Sequence, residues 1–278
     1  MEKERDIEAV KDFFLVEKSG DVVILRSHGN AFSFATDFNH NETLLSFFDD
    51  LSQLKSVKVI VIISSHNRTG SEEYLHFAKK LKTCDWEREV LLKRFCNTIN
   101  QLILKIVDLD KIVIHANSGS VISLLLNLSL ACDYRIAADN TVYQNPYLEV
   151  DLLPIGGGPF FLSRRLGLSK AYEVLLNQRD IPAIEAMKLG IVDKVVPEQK
   201  LEELTLKFAQ WFSRKPAHSL AGIKKLLNYS LLGLKGYLEF ETLELVRTVQ
   251  SKDSLDADLS TPERRPEGLR ALGTESPR

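Results

Sequence analysis

Cysteine is scarce in this chain. The three present, Cys84, Cys96 and Cys132, lie far apart with no CxxC pair, which argues against a disulfide scaffold and against a cysteine zinc site. Charge imbalance is missing as well. With 36 Lys and Arg against 38 Asp and Glu, the formal net charge is -2, so composition offers no electrostatic footprint for nucleic acid or an anionic membrane. No apolar run is long enough to span a bilayer. The longest, residues 121–130, is interrupted by Ser123, Asn127 and Ser129. The first six residues are mostly charged and carry no apolar signal core. A reducing, cytoplasmic location is therefore expected, and triplets such as Asn41-Glu42-Thr43 carry no glycosylation meaning there.

Several motifs are absent too. No Gly-x-Gly-x-x-Gly follows the first β-rich run, and no Walker A Gly-Lys-Ser/Thr occurs. The triple glycine Gly156-Gly157-Gly158 has no Lys-Ser/Thr behind it and reads as a tight loop–helix junction. There is no Gly-x-Ser-x-Gly elbow. His115 has no second His and carboxylate in metal spacing. No metal and no separate cofactor are expected. No internal repeat is visible.

What is present alternates between two periods. Residues 13–17 and 22–26 are β-rich and flank a turn at Gly20, predicting a hairpin. Leu44, Leu45, Phe47, Phe48, Leu51 and Leu54 fall on one helical face. Residues 57–63 form a nearly continuous β-branched run, as expected for a strand covered on both faces. Helices are predicted at 72–82 and 87–106. A strand is predicted at 111–115, followed by a turn at Asn117-Ser118-Gly119-Ser120, a buried helix at 121–130 and short strands at 134–137 and 141–143. Helices follow at 160–166, 169–176 and from Pro182 to a stop at Gly190, then a strand at 191–196 closed by Pro197. From Glu198 the chain reads as helical, and after Asp256 it loses its apolar period. The expected organisation is an α/β core over 1–197, a helical region over 198–256 and a disordered tail over 257–278.

Three segments together resemble the crotonase superfamily, the enoyl-CoA hydratase/isomerase family. The first is KIVIHANSGSVISLLLNLSLACDYRIAADNTVYQNPYLEVDLLPIGGGPFFLSRRLG, residues 111–167. The second is SKAYEVLLNQRDIPAIEAMKLGIVDKVVPEQKL, residues 169–201, with an A-x-x-x-G-I-V step. The third is the C-terminal pair KPAHSLAGIKKLL and SKDSLDA. The resemblance covers most of residues 13–257. It implies a crotonase-like spiral of ββα units, a C-terminal helical region used in trimerisation, a homotrimer or dimer of trimers, and an acyl-CoA ligand whose coenzyme A is part of the substrate. It also implies that two backbone N–H groups hold the thioester oxygen, since fixed dipoles stabilise the charge that develops there. One N–H would come from the loop after residue 64, with Thr69 and Gly70 placed by position. The other falls on Leu124.

The site positions depart from the family pattern. Where family hydratases carry three glycines, this chain has Ser123-Leu124-Leu125. Leu124 keeps its N–H, but its side chain can fill the thioester's place, or it is simply helix core. The two hydratase glutamates fall on Asn127 and Tyr147. Hydration needs one carboxylate to take a proton from water and another to deliver one to carbon. Asn127 has no titratable proton, and a tyrosine of pKa about 10 is a poor base that can still donate a proton. A later isomerase carboxylate position falls on Ile155. Glu149 and Asp151 would share a side with Tyr147 on an extended segment, so Asp151 is a candidate displaced carboxylate; both can equally be solvated loop charges. His66 reads as a solvated loop residue and His115 as a core histidine, although either can reach a site. Lys224 matches a basic position that the family uses near the coenzyme A phosphates, with Arg214, Lys215 and Lys225 nearby; a solvated helix face is the alternative. Two functions follow from the resemblance. One is altered thioester chemistry of isomerase, decarboxylase or C–C hydrolase type in place of hydration. The other is a catalytically inactive acyl-CoA-binding or assembly subunit.

Overall fold

The computed structural model describes residues 9–10, 14–27, 32, 38–66, 70–84, 87–177 and 179–251. In chain order its strands and helices are β1 (Ala9–Val10), β2 (Phe14–Ser19), β3 (Val22–Ser27), α1 (Phe38–Gln53), β4 (Val59–His66), α2 (Gly70–Thr83), α3 (Arg88–Asp108), β5 (Ile112–Ile122), α4 (Ser123–Leu130), β6 (Tyr134–Ala138), β7 (Val142–Gln144), α5 (Gly158–Leu166), α6 (Leu168–Asn177), β8 (Ile181–Pro182), α7 (Ala183–Leu189), β9 (Lys194–Val196), α8 (Leu201–Ser213), α9 (Ala217–Asn228) and α10 (Leu234–Gln250). A 3-10 turn over Tyr147–Val150 lies between β7 and α5.

The hairpin expected at Gly20 is present, with β2 and β3 antiparallel. From β3 onward the sheet is parallel in the order β3-β4-β5-β6-β9. Parallel strands need cover on both faces, and β4 shows why its β-branched run suits this. Val59, Val61 and Ile63 pack with Ile112, Ile114 and Ala116 beneath Leu201, Ala209 and Leu220 of α8 and α9. Ile60 and Val113 point the other way, into the larger core shared with α1, α2, α3 and α4.

The main departure from the sequence expectation is β5. A turn was expected at residues 117–120, yet the strand continues to Ile122. The polar residues are held extended because neighbours on both sides supply hydrogen bonds. Asn117, Ser118 and Gly119 register with Ser64, Ser65 and His66 of β4, and residues 120–122 register with β7. Here pairing overrides local turn propensity. As a result β5 runs straight into α4, and the ends of β4 and β5 and the start of α4 lie together. The strand expected over 191–196 is shorter, Lys194–Val196. The tail over 257–278 lies outside the described residues.

Candidate active site

α4 begins directly after β5, so its first N–H groups have no partners within the helix. Leu124 is fully buried at this first turn. The hydroxyl of Tyr74 on α2 lies beside it. That hydroxyl is 2.7 Å from the Oγ of Ser123, the first residue of α4. Tyr74 has no exposed surface, and Phe32 meets its ring edge-on at 4.8 Å. Phe32 in turn stacks on Phe77 and Phe95. Burial pushes the Tyr74 phenol above its ordinary pKa, so the hydroxyl beside Ser123 is neutral. The helical spacing of Tyr74, Phe77, Ala78 and Leu81 marks a buried stripe in the sequence. That the stripe would bring a hydroxyl to Ser123 is a tertiary fact that the spacing does not carry.

One turn further along α4, Asn127 is buried and its Nδ2 donates to Ile155 O at 2.7 Å. Its amide lies flat against Gly158. A Cβ on Gly158 would stand 2.6 Å from Asn127 Nδ2, so only glycine fits at the start of α5. Gly156 and Gly157 have φ of +88° and +73°, a region that side chains disfavour. The triple glycine is thus the tight junction expected, but it also holds a carboxyl group. Glu241 of α10 accepts from Gly156 N at 2.7 Å and from Gly157 N at 3.1 and 3.2 Å. Burial pushes its carboxyl up to about 7 against the pull of these two N–H groups. No cation among the described residues pairs with it. Tyr74, Tyr237 and Cys96 are its titratable neighbours. Glu241 escaped the sequence reading because one Glu in a helix rich in Glu gives no local sign of burial.

Tyr147 is buried, and its hydroxyl donates to Leu175 O of α6 at 2.5 Å. Its phenol is also pushed up by burial. The segment around it is not extended as expected. It coils as a 3-10 turn, and Asp151 caps it in the left-handed region at φ 52°, the one non-glycine residue with positive φ among those described. A three-residue turn takes Asp151 off the side that Tyr147 occupies. Asp151 lines a separate small cavity with Ala78, Leu81, Lys82, Arg88, Val150, Leu152 and Val249. The structure therefore does not bring Tyr147 and Asp151 together.

The remaining candidates divide in the same way. Thr69 lies outside the described residues, while Gly70 opens α2, the helix that carries Tyr74. Lys224 was expected near the phosphates of coenzyme A. Its ammonium is instead buried and donates to Ile106 O at 2.9 Å, Lys111 O at 3.0 Å and Asp133 Oδ2 at 2.9 Å. Three donors meet three internal acceptors, so none is left for a phosphate. Lys225 is exposed and pairs with Asp110 at 2.8 Å. His115 is a satisfied core residue, with Nε2 3.1 Å from Ser64 Oγ. No cluster of three or more His, Cys, Asp or Glu suited to a metal occurs among the described residues. No helix among them is long and apolar enough to cross a membrane.

A fold in which β5 feeds a buried helix beside a glycine loop is what the resemblance implied, and comparison with known proteins agrees. The family model for enoyl-CoA hydratase/isomerase matches residues 26–266. The chain belongs to the enoyl-CoA hydratase/isomerase family. This crotonase fold superposes on the crystal structure of enoyl-CoA hydratase from Bacillus halodurans with a TM-score of 0.76 at 23% identity, covering 88% of this chain and 99% of that one. Among curated relatives, trans-2-decenoyl-acyl-carrier-protein isomerase of Streptococcus mutans is 30% identical over 55% of this chain, which spans 58% of that protein. Carnitinyl-CoA dehydratase of Citrobacter koseri is 28% identical over 74% of this chain and 75% of its own length. Within the family fold, the residues at Leu124, Asn127 and Tyr147 are all buried, and Asn127 and Tyr147 are hydrogen-bonded inward.

Proposed function

We propose that this chain is an acyl-thioester-binding member of the enoyl-CoA hydratase/isomerase family that does not hydrate enoyl thioesters and serves as a non-catalytic binding or assembly subunit. One observation carries this. At the two positions where the resemblance places hydratase glutamates, Asn127 donates to Ile155 O and Tyr147 to Leu175 O. An amide takes up no proton at neutral pH. A phenol raised by burial is no base there, and its proton is already directed at a carbonyl. The thioester oxygen would meet the Leu124 N–H, with a second N–H from Thr69 or Gly70. A second reading, isomerase, decarboxylase or C–C hydrolase chemistry, is favoured by the 30% identity to the Streptococcus isomerase. Such reactions need enolate stabilisation and a single proton donor.

The test is a panel of 2-enoyl, 3-enoyl, malonyl and β-keto thioesters, each on coenzyme A and on acyl carrier protein, with binding followed by calorimetry. Binding without turnover is expected. Turnover of a 3-enoyl thioester would favour the second reading, and hydration of a 2-enoyl thioester would sink the proposal.

Assembly is supported by exposed apolar side chains. Leu226, Leu227, Tyr229 and Leu232 are 78%, 68%, 73% and 66% exposed around the end of α9. Leu168, Tyr172 and Leu176, four residues apart, line the outer face of α6. Clustered exposure of this kind marks an interaction surface. A homotrimer or dimer of trimers is the assembly proposed. Sedimentation equilibrium at micromolar protein would reject it by returning the 31.5 kDa mass of one chain.

A further inference from the structure

We propose that Glu241 is a pH-released latch on the last described helix: protonated, it clips α10 to the glycine loop beside Asn127, and ionised, it lets α10 lift from that loop. The device does not depend on which ligand the neighbouring site takes.

The latch sits where helical spacing calls for an apolar side chain. Leu234, Leu238, Leu245 and Val249 are buried along one face of α10. Glu241 falls in the middle of that stripe and is only 8% exposed. A carboxyl there weakens the seal unless its oxygens are satisfied, and the glycine loop satisfies them. With the proton on Oε2, Oε1 still accepts from Gly156 N at 2.7 Å and Gly157 N at 3.2 Å. The loop is clamped between two helices. A Cβ on Gly156 would stand 3.5 Å from Asn127 Cβ of α4, and one on Gly157 would stand 3.3 Å from Leu238 Cδ2 of α10. Lifting α10 therefore bares the loop that packs on Asn127. The ionised form has no charge to balance it. Tyr74 of α2, Cys96 of α3 and Tyr237 of α10 are the titratable groups that face it, and burial pushes all three up, so they stay neutral. Arg164 of α5 is spent on the Phe160 ring, 3.4 Å away, which packs against Tyr237. In the lifted state water solvates the carboxylate, so ionisation favours opening. The helix is placed to open alone. It follows Gly233 at φ 92°, and Asn100 of α3 holds it through Leu238 O and Thr242 Oγ1 at 3.2 Å, a tie that does not titrate.

Amide hydrogen exchange on the full chain tests this, read residue by residue in wild type, Glu241→Gln and Glu241→Leu. Protection factors are compared, which removes the pH dependence of the exchange chemistry itself. The α10 amides and the N–H groups of Gly156 and Gly157 should be less protected than the amides of β4, because the helix opens without the sheet. In wild type their protection should fall about 70-fold from pH 5 to pH 8, as a carboxyl titrating at about 7 when closed and 4.5 when open requires. Glu241→Gln keeps an acceptor and has no proton to release, so its protection should stay level across that range. Glu241→Leu completes the apolar stripe, should also stay level, and reports even if Glu241→Gln fails to fold. Equal protection of α10 and β4 at every pH would overturn the latch, because the helix would then open only with the whole fold. A pH trend in wild type no steeper than in the folded variants would overturn it as well, since Glu241 would then not be the group that releases the helix.

Discussion

Two charged side chains from the C-terminal helices reach into the interior, and they are treated in opposite ways. Lys224 of α9 meets a carboxylate, Asp133, together with two carbonyls, Ile106 O and Lys111 O. Glu241 of α10 meets only two backbone N–H groups of the glycine loop. The first is a paired charge whose three donors are saturated. The second is a carboxyl without a counter-charge, and burial raises it to about 7. Burial penalises the charged form of any isolated group, and a nearby opposite charge offsets that penalty. The contrast teaches that a basic residue matching a ligand-binding position can be a structural tie, while an unremarkable glutamate becomes the titratable group next to the candidate site.

The largest expected effect breaks the paired side. Lys224→Met keeps the volume but strands Asp133 and two carbonyls. Removing one partner of a buried pair typically costs about 3–5 kcal/mol. Because Asp133 retains 19% exposure, about 4 kcal/mol is expected, read as a lower urea midpoint with an unchanged slope. Acetyl-CoA affinity per folded molecule should not change. If stability held while affinity dropped, Lys224 would be a ligand cation after all and the contrast would collapse.

The same contrast explains what could be read from the sequence. The framework was legible because periodicity carries it. The β4 run, the α3 stripe and the stop at Gly190 all appear where the spacing predicts them. Part of the motif 132–135 is legible as family likeness, and its physical reason is now visible. Asp133 Oδ2 accepts from Val113 N at 2.7 Å and from Lys224, and Arg135 joins Asp193 at 2.5 Å. These residues tie strands and helices to one another, so their presence speaks for folding and says little about chemistry. The site was less legible because its decisive contacts join residues far apart in the chain. Tyr74 meets Ser123 across 49 positions, and Glu241 meets Gly156 across 85. The coil at residues 147–150 failed for a local reason, since one residue accepting a left-handed φ at Asp151 turned an expected extended segment into a 3-10 turn.

A smaller effect sharpens the unpaired side. The folded state holds Glu241 protonated up to about pH 7, whereas the unfolded chain releases that proton near its ordinary value of 4.5. The folded state therefore binds more protons between those two values, and stability from this group falls as pH rises through that window. Below 4.5 both states are protonated and nothing is lost; above 7 the loss is complete. At about 1.4 kcal/mol per unit of pH the full loss is about 3 kcal/mol. Glu241→Gln keeps a carbonyl oxygen to accept from Gly156 N and Gly157 N but has no proton to release. Measured by urea unfolding, Glu241→Gln should therefore gain about 3 kcal/mol relative to the wild-type chain between pH 4.5 and pH 8. Parallel pH profiles for the two proteins would mean that Glu241 is charged in the folded state, and the glycine loop would then have to be credited with holding a full anion by two N–H groups alone.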